Sequence, residues 1–460
     1  MMADPLRGKR LVILGLARQG RALARFAAGV GAEVVVSDLR PPEALAEEMA
    51  ALADLNVEFV LGEHPPSLLE GTDVLALSGG VPLTAPIVVA AQERNITLTN
   101  DSLEFARRAP APLVGITGSA GKTTTTALAG AIGRASGRRT WVGGNIGNPL
   151  IEKLGEIAAE DLIILELSSF QLELWDRSPA IAAILNITPN HLDRHGTMAA
   201  YSAAKASIVH HQRADDVAIL GADDPGAMAL AELAPGRLRT YSARQPVDDG
   251  AYVAAGQIWL AGDGVRKPVL SVDQIPLRGP HNVLNVLAAV TVADSAGIGP
   301  AAIQDGVAQF ESVAHRLEPV ATIDGVQYVN DSIATAPERA LAALAAFDEP
   351  LVLLAGGRDK NMVWDEWAEQ VSRRVRHVVL FGSLGPLLEK LLEAQPSPPP
   401  HTRVEALAEA VDAAHAIAQP GDIVLLSPGG TSYDAYRDFE ERGEQFRRLV
   451  RALATEKEQV

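Results

Sequence analysis

The chain has 460 residues and a net charge of −17, so it repels phosphate backbones, which argues against general nucleic-acid binding and leaves room only for a local basic cluster holding a small phosphorylated ligand. Hydrophobic residues make up 47% but aromatics only 4%, so the cores must be built mainly from Ala, Val, Leu and Ile, the mix found where helices pack on a parallel sheet. There is no cysteine, which removes disulfides, thiolate nucleophiles and thiolate metal sites.

At roughly 150 residues per domain the length suggests about three domains. No export signal and no apolar run of ~18 residues is visible, so no membrane span and a cytoplasmic location are expected. The runs RLVILGL, AEVVVSD and DVLALSGG read as buried strands, separated by RALARFAAGVG and PEALAEEMAALADL with helical spacing. This βαβ rhythm predicts a parallel-sheet domain over residues 1–100. A second domain, 101–312, opens on APLVGITGSAGKTTTTALAGAIG, continues through the strand candidates DLIILELS, AIAAILNI and DVAILGA, and closes near the helix HNVLNVLAAVTVADSAG. A third, 313–460, carries VQYVNDS, PLVLLAGG, HVVLFG and DIVLLSPGG. The fold class is therefore α/β with three domains, Rossmann-like at both ends and a P-loop ATPase unit between them. Ligands in such sheets bind beyond the carboxyl ends of the strands, which directs attention to the glycine-rich strand ends.

The sharpest of these is Gly118-Ser119-Ala120-Gly121-Lys122-Thr123-Thr124, set between the strand LVGIT and a helix. Glycines let backbone N–H groups turn toward a phosphate, and the helix N-terminus adds partial positive charge. Lys122 would reach the β- and γ-phosphates and Thr123 would ligate Mg²⁺. The spacing departs from a strict Walker A motif, since Ile116 stands where the first glycine would be. A second turn, Gly15-Leu16-Ala17-Arg18-Gln19-Gly20 with Asp38 ending the next strand, approaches a dinucleotide fingerprint, but Ala17 crowds the place of the middle glycine. Another phosphorylated nucleotide or a purely structural turn fits it equally well.

Glu166 ends DLIILE and is placed to hold Mg²⁺, although an ordinary polar strand end is common. Ser168 and Ser169 could instead cap the next helix. His191 follows AIAAILNI and is expected at the same edge of the sheet. Lys205 lies in the helical stretch YSAAKAS, where most lysines are solvated and inert.

Taken in order, these elements resemble the Mur ligases and their folylpolyglutamate synthetase relatives, with the best fit to the D-glutamate-adding branch. The residues that carry the resemblance are Gly118–Thr124, Gly143–Gly147, Glu166–Glu173, Leu185-Asn186 through His191–Arg194, Tyr201–Lys205, His281-Asn282 with Asn285, His315-Arg316, Asn330–Ser332, Gly356–Lys360, Leu426–Gly429 and Phe439–Gly443. They span nearly the whole chain. The resemblance implies ATP-dependent addition of glutamate to UDP-N-acetylmuramoyl-L-alanine, in the service of the cell wall, by a cytoplasmic monomer. It implies ATP binding by Gly118–Thr124 with Asn282, Asn285, Arg316 and Asp331. The uridine nucleotide falls to Gly15, Leu16, Ala17, Arg18, Asp38, Arg40, Gly79 and Asn145. Glutamate falls to Thr335, Lys360, Ser432, Tyr433 and Phe439. The catalytic set is Lys122, Glu166, His191 and Lys205. Two Mg²⁺ sites are implied, drawing on Thr123, Glu166, His191 and a carbamylated Lys205.

Two departures from the family pattern stand out. Ser119 and Ala120 replace Thr and Asn in the phosphate loop, and Ile333 replaces the lysine of Asn-Asp-Ser-Lys-Ala-Thr. The second removes a cation that would fix substrate charge and leaves the choice between D- and L-glutamate open. Rival readings are a folylpolyglutamate synthetase-like ligase, which leaves the first turn idle, a nicotinamide-dependent oxidoreductase, which the separate GKT loop disfavours, and a non-catalytic P-loop regulator.

Overall fold

A computed structural model describes residues 3–458, and these contain three β-sheets flanked by helices. The first sheet comprises β1 (Arg10–Leu14), β2 (Glu33–Asp38), β3 (Val57–Leu61), β4 (Val74–Leu77) and β5 (Thr97–Thr99), in the order β3-β2-β1-β4-β5 and parallel throughout. Alternate residues of β1 enter different cores: Leu11 and Ile13 join one buried cluster, Val12 and Leu14 another. A strand covered on both faces has no polar side to alternate with, which is why RLVILGL reads as an unbroken apolar run.

The second sheet has nine strands: β6 (Leu113–Thr117), β7 (Thr140–Gly144), β8 (Leu162–Glu166), β9 (Ile181–Ile184), β10 (Val217–Gly221), β11 (Arg237–Ser242), β12 (Gly250–Ala254), β13 (Gln257–Gly262) and β14 (Val265–Ser271). Their order is β14-β13-β12-β11-β10-β9-β6-β8-β7. The pairs from β7 to β12 are parallel, whereas β12, β13 and β14 form an antiparallel extension. The third sheet runs β15-β16-β20-β17-β18-β19, with β15 (Glu318–Ile323), β16 (Val326–Asn330), β17 (Leu351–Gly356), β18 (Val375–Phe381), β19 (His401–Arg403) and β20 (Ile423–Gly429). Only the β15–β16 pair is antiparallel. Leu351, Leu353 and Ala355 pack on one face of β17 and Val352 and Leu354 on the other, so this sheet too is buried on both sides.

Two compact units emerge. One holds the first two sheets, through Ile275 and again over Val283–Phe310; the other comprises Pro276–Asn282 and Glu311 onward. The helix expected at HNVLNVLAAVTVADSAG spans Pro280–Ser295. The stretch PEALAEEMAALADL is less helical than its spacing suggests: a 3₁₀ turn at Pro42–Leu45 leads into a short α-helix at Ala46–Ala50. No helix among the described residues is long and apolar enough to cross a membrane.

Sheet order places the candidate residues. In the first sheet the winding reverses at β1 and β4, and the crevice at such a reversal is a binding position. Both flanking turns, Gly15–Gly20 and Ser78–Gly80, lie there. In the second sheet β6 sits between β9 and β8, so the phosphate loop, Glu166 and the segment Leu185–His191 emerge from three adjacent strands at the same end.

Candidate active site

The phosphate loop leaves β6 at Thr117 and enters the helix Lys122–Ala135 through Gly121, whose φ of 84° is left-handed. A Cβ at Gly121 would stand 2.3 Å from the Asn285 Oδ1, so only glycine fits between loop and helix. Asn186, at the end of the strand beside it, brackets the loop from below. Its Oδ1 accepts from the Ala120 N–H at 2.8 Å, its Nδ2 donates to the Ala120 carbonyl at 3.1 Å, and its own carbonyl accepts from Ser119 N–H at 2.9 Å. The two departures in the loop are thereby accommodated. The Ser119 hydroxyl is tied to Thr188 and to the Tyr201 hydroxyl, each at 2.9 Å, and the Ala120 peptide is fixed by a neighbour's side chain instead of its own. Lys122 folds back along the loop, its Nζ 2.8 Å from the Gly118 carbonyl. Thr123 and Thr124 open the helix.

Glu166 terminates β8 and is 2% exposed. Its Oε1 accepts from the Asn145 Nδ2 at 2.8 Å, while Oε2 is buried without a hydrogen-bond partner. Asn145, expected at the uridine nucleotide, thus spends its side-chain amide on Glu166. Gly144 makes the approach feasible: its φ is 96°, and a Cβ there would lie 2.2 Å from the Glu166 carbonyl. An orphaned buried carboxylate oxygen is costly unless something cationic occupies the site. Among the described residues no cluster of three or more His, Cys, Asp or Glu could by itself hold a metal. A single carboxylate with a helix-start threonine suits Mg²⁺, which takes much of its shell from phosphates and water. Thr123 and Glu166 therefore fit that ion.

Lys205 is not the solvated lysine that its helix position suggests. It is 1% exposed on the helix Met198–His210, and its Nζ donates to Thr117 Oγ1 at 3.1 Å and to the Gly118 carbonyl at 3.0 Å, with the Tyr201 ring 5.0 Å away. Burial, reinforced by the neighbouring Lys122 charge and only partly offset by Glu166, drops its pKa to about 6. The amine is therefore predominantly neutral at physiological pH. His191 precedes the short helix Leu192–His195 with a left-handed φ of 54°, and its ring meets Phe170 edge-on at 5.0 Å. Ser168 caps the helix Ser169–Leu172 in a reciprocal box with Gln171, as the alternative reading of that serine anticipates.

In the first sheet, Gly15 has a φ of 98° and Gly20 packs so closely that a Cβ would lie 1.9 Å from the Gly15 carbonyl. Asp38 accepts from Leu16 N–H at 2.8 Å and pairs with Arg40 at 2.9 Å. Burial alone would raise the Asp38 pKa, but the bonds from Arg40 and Leu16 prevail and hold it at about 2. The carboxylate thus ties the turn to the end of β2. Ala17 and Arg18 are exposed at the start of the following helix. Opposite them, the Ser78 hydroxyl donates to the Gly15 carbonyl at 3.0 Å, which sets Gly79 facing the turn.

In the second unit, reciprocal backbone bonds between Arg358 and Thr431, 2.8 and 2.9 Å, join the loops after β17 and β20. This brings Lys360 near Ser432 and Tyr433: the ammonium lies 5.3 Å from the Tyr433 ring, which is 58% exposed. Phe439 begins the last helix, its carbonyl accepting from Ser332 Oγ at 2.8 Å. Thr335 lies in the loop after β16, its N–H on the Ile333 carbonyl at 2.9 Å. Asp331 is buried and accepts from Ser427 Oγ at 2.9 Å, and desolvation pushes its pKa to about 7. Asn282 donates to the Arg278 carbonyl at 2.7 Å, and Arg316 lies in the loop before β15. Three side chains absent from the expected site set prove structurally central: Asn186, Tyr201 and the fully buried Arg442, whose guanidinium bonds Ser332 and the Gly430 carbonyl. Each sits inside a recognisable motif, but motif membership says nothing of which backbone a side chain supports.

Comparison with known proteins assigns the class. The Mur ligase MurD-like N-terminal domain matches residues 9–100, the Mur ligase middle domain 116–293 and the Mur ligase glutamate ligase domain 315–430. The chain belongs to the Mur ligase family. Within it, the chain is 43% identical to the UDP-N-acetylmuramoylalanine–D-glutamate ligase of Symbiobacterium thermophilum, over 97% of this chain and 98% of that protein. It is 42% identical to the enzyme of the same name from a Roseiflexus species, over 97% and 99% respectively. Among solved structures, a UDP-N-acetylmuramate–alanine ligase from Thermotoga maritima shares the fold with a TM-score of 0.63 at 18% identity, covering 97% of this chain and 99% of that one.

Proposed function

We propose that the chain is an ATP-dependent amide ligase that joins D-glutamate to the alanine carboxylate of UDP-N-acetylmuramoyl-L-alanine in peptidoglycan precursor synthesis. The near full-length likeness to D-glutamate ligases carries this reading. It also favours the D isomer, which Ile333 in place of lysine had left open. ATP and a sugar nucleotide are cytoplasmic metabolites, so the enzyme acts there.

A carboxylate is a poor electrophile, so the reaction begins by activating it. The alanine carboxylate oxygen attacks the γ-phosphorus of ATP, ADP leaves, and an acyl phosphate forms. The neutral amine of glutamate then attacks the acyl carbon, and the tetrahedral species collapses with loss of phosphate and a proton. Positioning and charge neutralisation dominate such phosphoryl transfers. The Gly118–Thr124 loop presents backbone donors and Lys122 its ammonium, with Asn285 set against Gly121 in the same unit. Thr123 and Glu166 would hold Mg²⁺, which would supply further positive charge at the transferred group. A second Mg²⁺ would draw on His191 and on Lys205 as its carbamate. The neutral, buried Lys205 amine suits addition to CO₂, which forms an N–C bond and releases one proton. The first sheet takes the uridine diphosphate through Gly15–Arg18, Asp38, Arg40 and Gly79, with Asn145 contributing alongside its bond to Glu166.

Glutamate has two carboxylates that need fixed partners, and Lys360 is the cation for its side chain, with Thr335, Ser432, Tyr433 and Phe439 around it. A charge-assisted hydrogen bond contributes about 1.5–3 kcal/mol. Lys360→Ala is therefore expected to raise the KM for glutamate about 10- to 100-fold and leave that for ATP nearly unchanged. Steady-state kinetics with each substrate varied in turn checks this; a rise confined to the ATP KM would move the glutamate site elsewhere, with Arg358 the next cation to examine.

A further inference from the structure

One side chain outside the assigned site reaches from the second sheet to the crevice of the first. Arg194, on the short helix after His191, donates from one terminal nitrogen to the Gly79 carbonyl and from the other to the Val81 carbonyl, each at 2.6 Å. Its guanidinium lies 4.0 Å over the Phe170 ring, and Phe170 in turn stacks on His195 at 5.3 Å with an 11° tilt. His195 is itself pinned, by Ser169 Oγ at 2.9 Å and by Glu173 at 3.1 Å. Among the described residues no carboxylate lies within ion-pair distance of Arg194, so the two carbonyl oxygens and the Phe170 ring hold its guanidinium at the turn, with Glu173 and Asp193 acting at longer range.

The peptide bond is planar and trans, so the Gly79 C=O and the Gly80 N–H point in opposite directions. A fork that grips the Gly79 carbonyl therefore turns the Gly80 N–H away from Arg194, to the open side of the turn. Among the described residues that N–H meets no acceptor, and a Cβ at Gly80 would touch nothing within 4 Å. Glycines have no side chain to fix their own peptide planes, so the orientation must come from outside. We propose that Arg194 is a positioning residue for the sugar-nucleotide substrate, holding the Ser78–Gly80 turn so that the Gly80 N–H faces the diphosphate. This rests on the reading of the first sheet as the uridine-nucleotide site. Arginine suits the task because its planar fork grips two carbonyls at once, which a lysine ammonium on a flexible stem does not.

Calorimetric titration of the full chain with UDP and, separately, with ATP tests the proposal. Wild-type protein that binds no UDP would refute the nucleotide site itself, a failure distinct from that of the role of Arg194. With wild-type binding in place, Arg194→Met keeps an apolar stem over Phe170 and should weaken UDP about tenfold or more, with ATP affinity within about twofold. Arg194→Lys keeps the charge but not the fork and should recover only part of the loss; it also decides the matter if the methionine variant fails to fold. Unchanged UDP affinity, full recovery by lysine, or equal weakening of UDP and ATP would each overturn the proposal.

Discussion

Lys122→Ala is expected to lower ATP-dependent turnover by about 10³-fold, the scale seen when a preorganised charge is removed from a developing anion. The fold should survive. Lys122 closes a loop through carbonyl oxygens, 2.8 Å from that of Gly118, and contributes nothing to the apolar clusters. The buried Gly118 carbonyl keeps the Lys205 Nζ as a donor at 3.0 Å, so the melting temperature should move by no more than about 4 °C. Phosphate release and thermal unfolding, measured on the same preparation, separate the two effects. An active Lys122→Ala enzyme would remove the phosphate loop from the mechanism.

The second large effect is expected at Lys205. Its replacement by alanine should cost about 10²-fold or more in kcat on the proposed reading, because the carbamate that would hold the second Mg²⁺ beside the transferred phosphate is lost. Short carboxylic acids should then restore part of the rate by supplying the oxygens of the missing carbamate. The wild-type enzyme should lose activity in CO₂-free buffer and regain it with bicarbonate. The sign of the pH dependence follows from the depressed pKa of about 6. Above that value the amine is neutral and open to CO₂, and below it the protonated amine cannot add. Bicarbonate activation should therefore fade as pH drops through 6. Wild-type rates in Lys205→Ala would return this residue to a purely structural role.

Lys205 also marks where reading the sequence reaches its limit. Its neighbours in YSAAKAS are small, and nothing in that pattern tells a helix face turned to water from one pressed against the end of β6. Only the packing of the helix Met198–His210 beside Thr117 makes it a buried amine. By contrast, the strands β1, β6, β8, β17 and β20 were legible because burial on both faces makes them continuous apolar runs ending in glycine or a polar residue. Strands without that signature do not stand out in the sequence, as two examples show. Val57–Leu61 is a partly exposed edge with a charged residue inside it, and β12 to β14 form an antiparallel extension whose outer strand is mostly exposed. The motifs of the site were equally visible, but their internal division of labour was not. Asn145 reads as a ligand contact until its amide is found on Glu166, and Asn186 reads as a loop residue until both ends of its side chain are found on the Ala120 peptide.

The most direct measurement is ADP formation with UDP-N-acetylmuramoyl-L-alanine and ATP present, comparing D-glutamate, L-glutamate and no amino acid, with a folate acceptor plus glutamate in a parallel reaction. Sustained ADP release with D-glutamate alone, matched mole for mole by amide product, is the predicted result. ADP release that needs the folate acceptor, that prefers L-glutamate, or that proceeds without any amino acid would contradict the account.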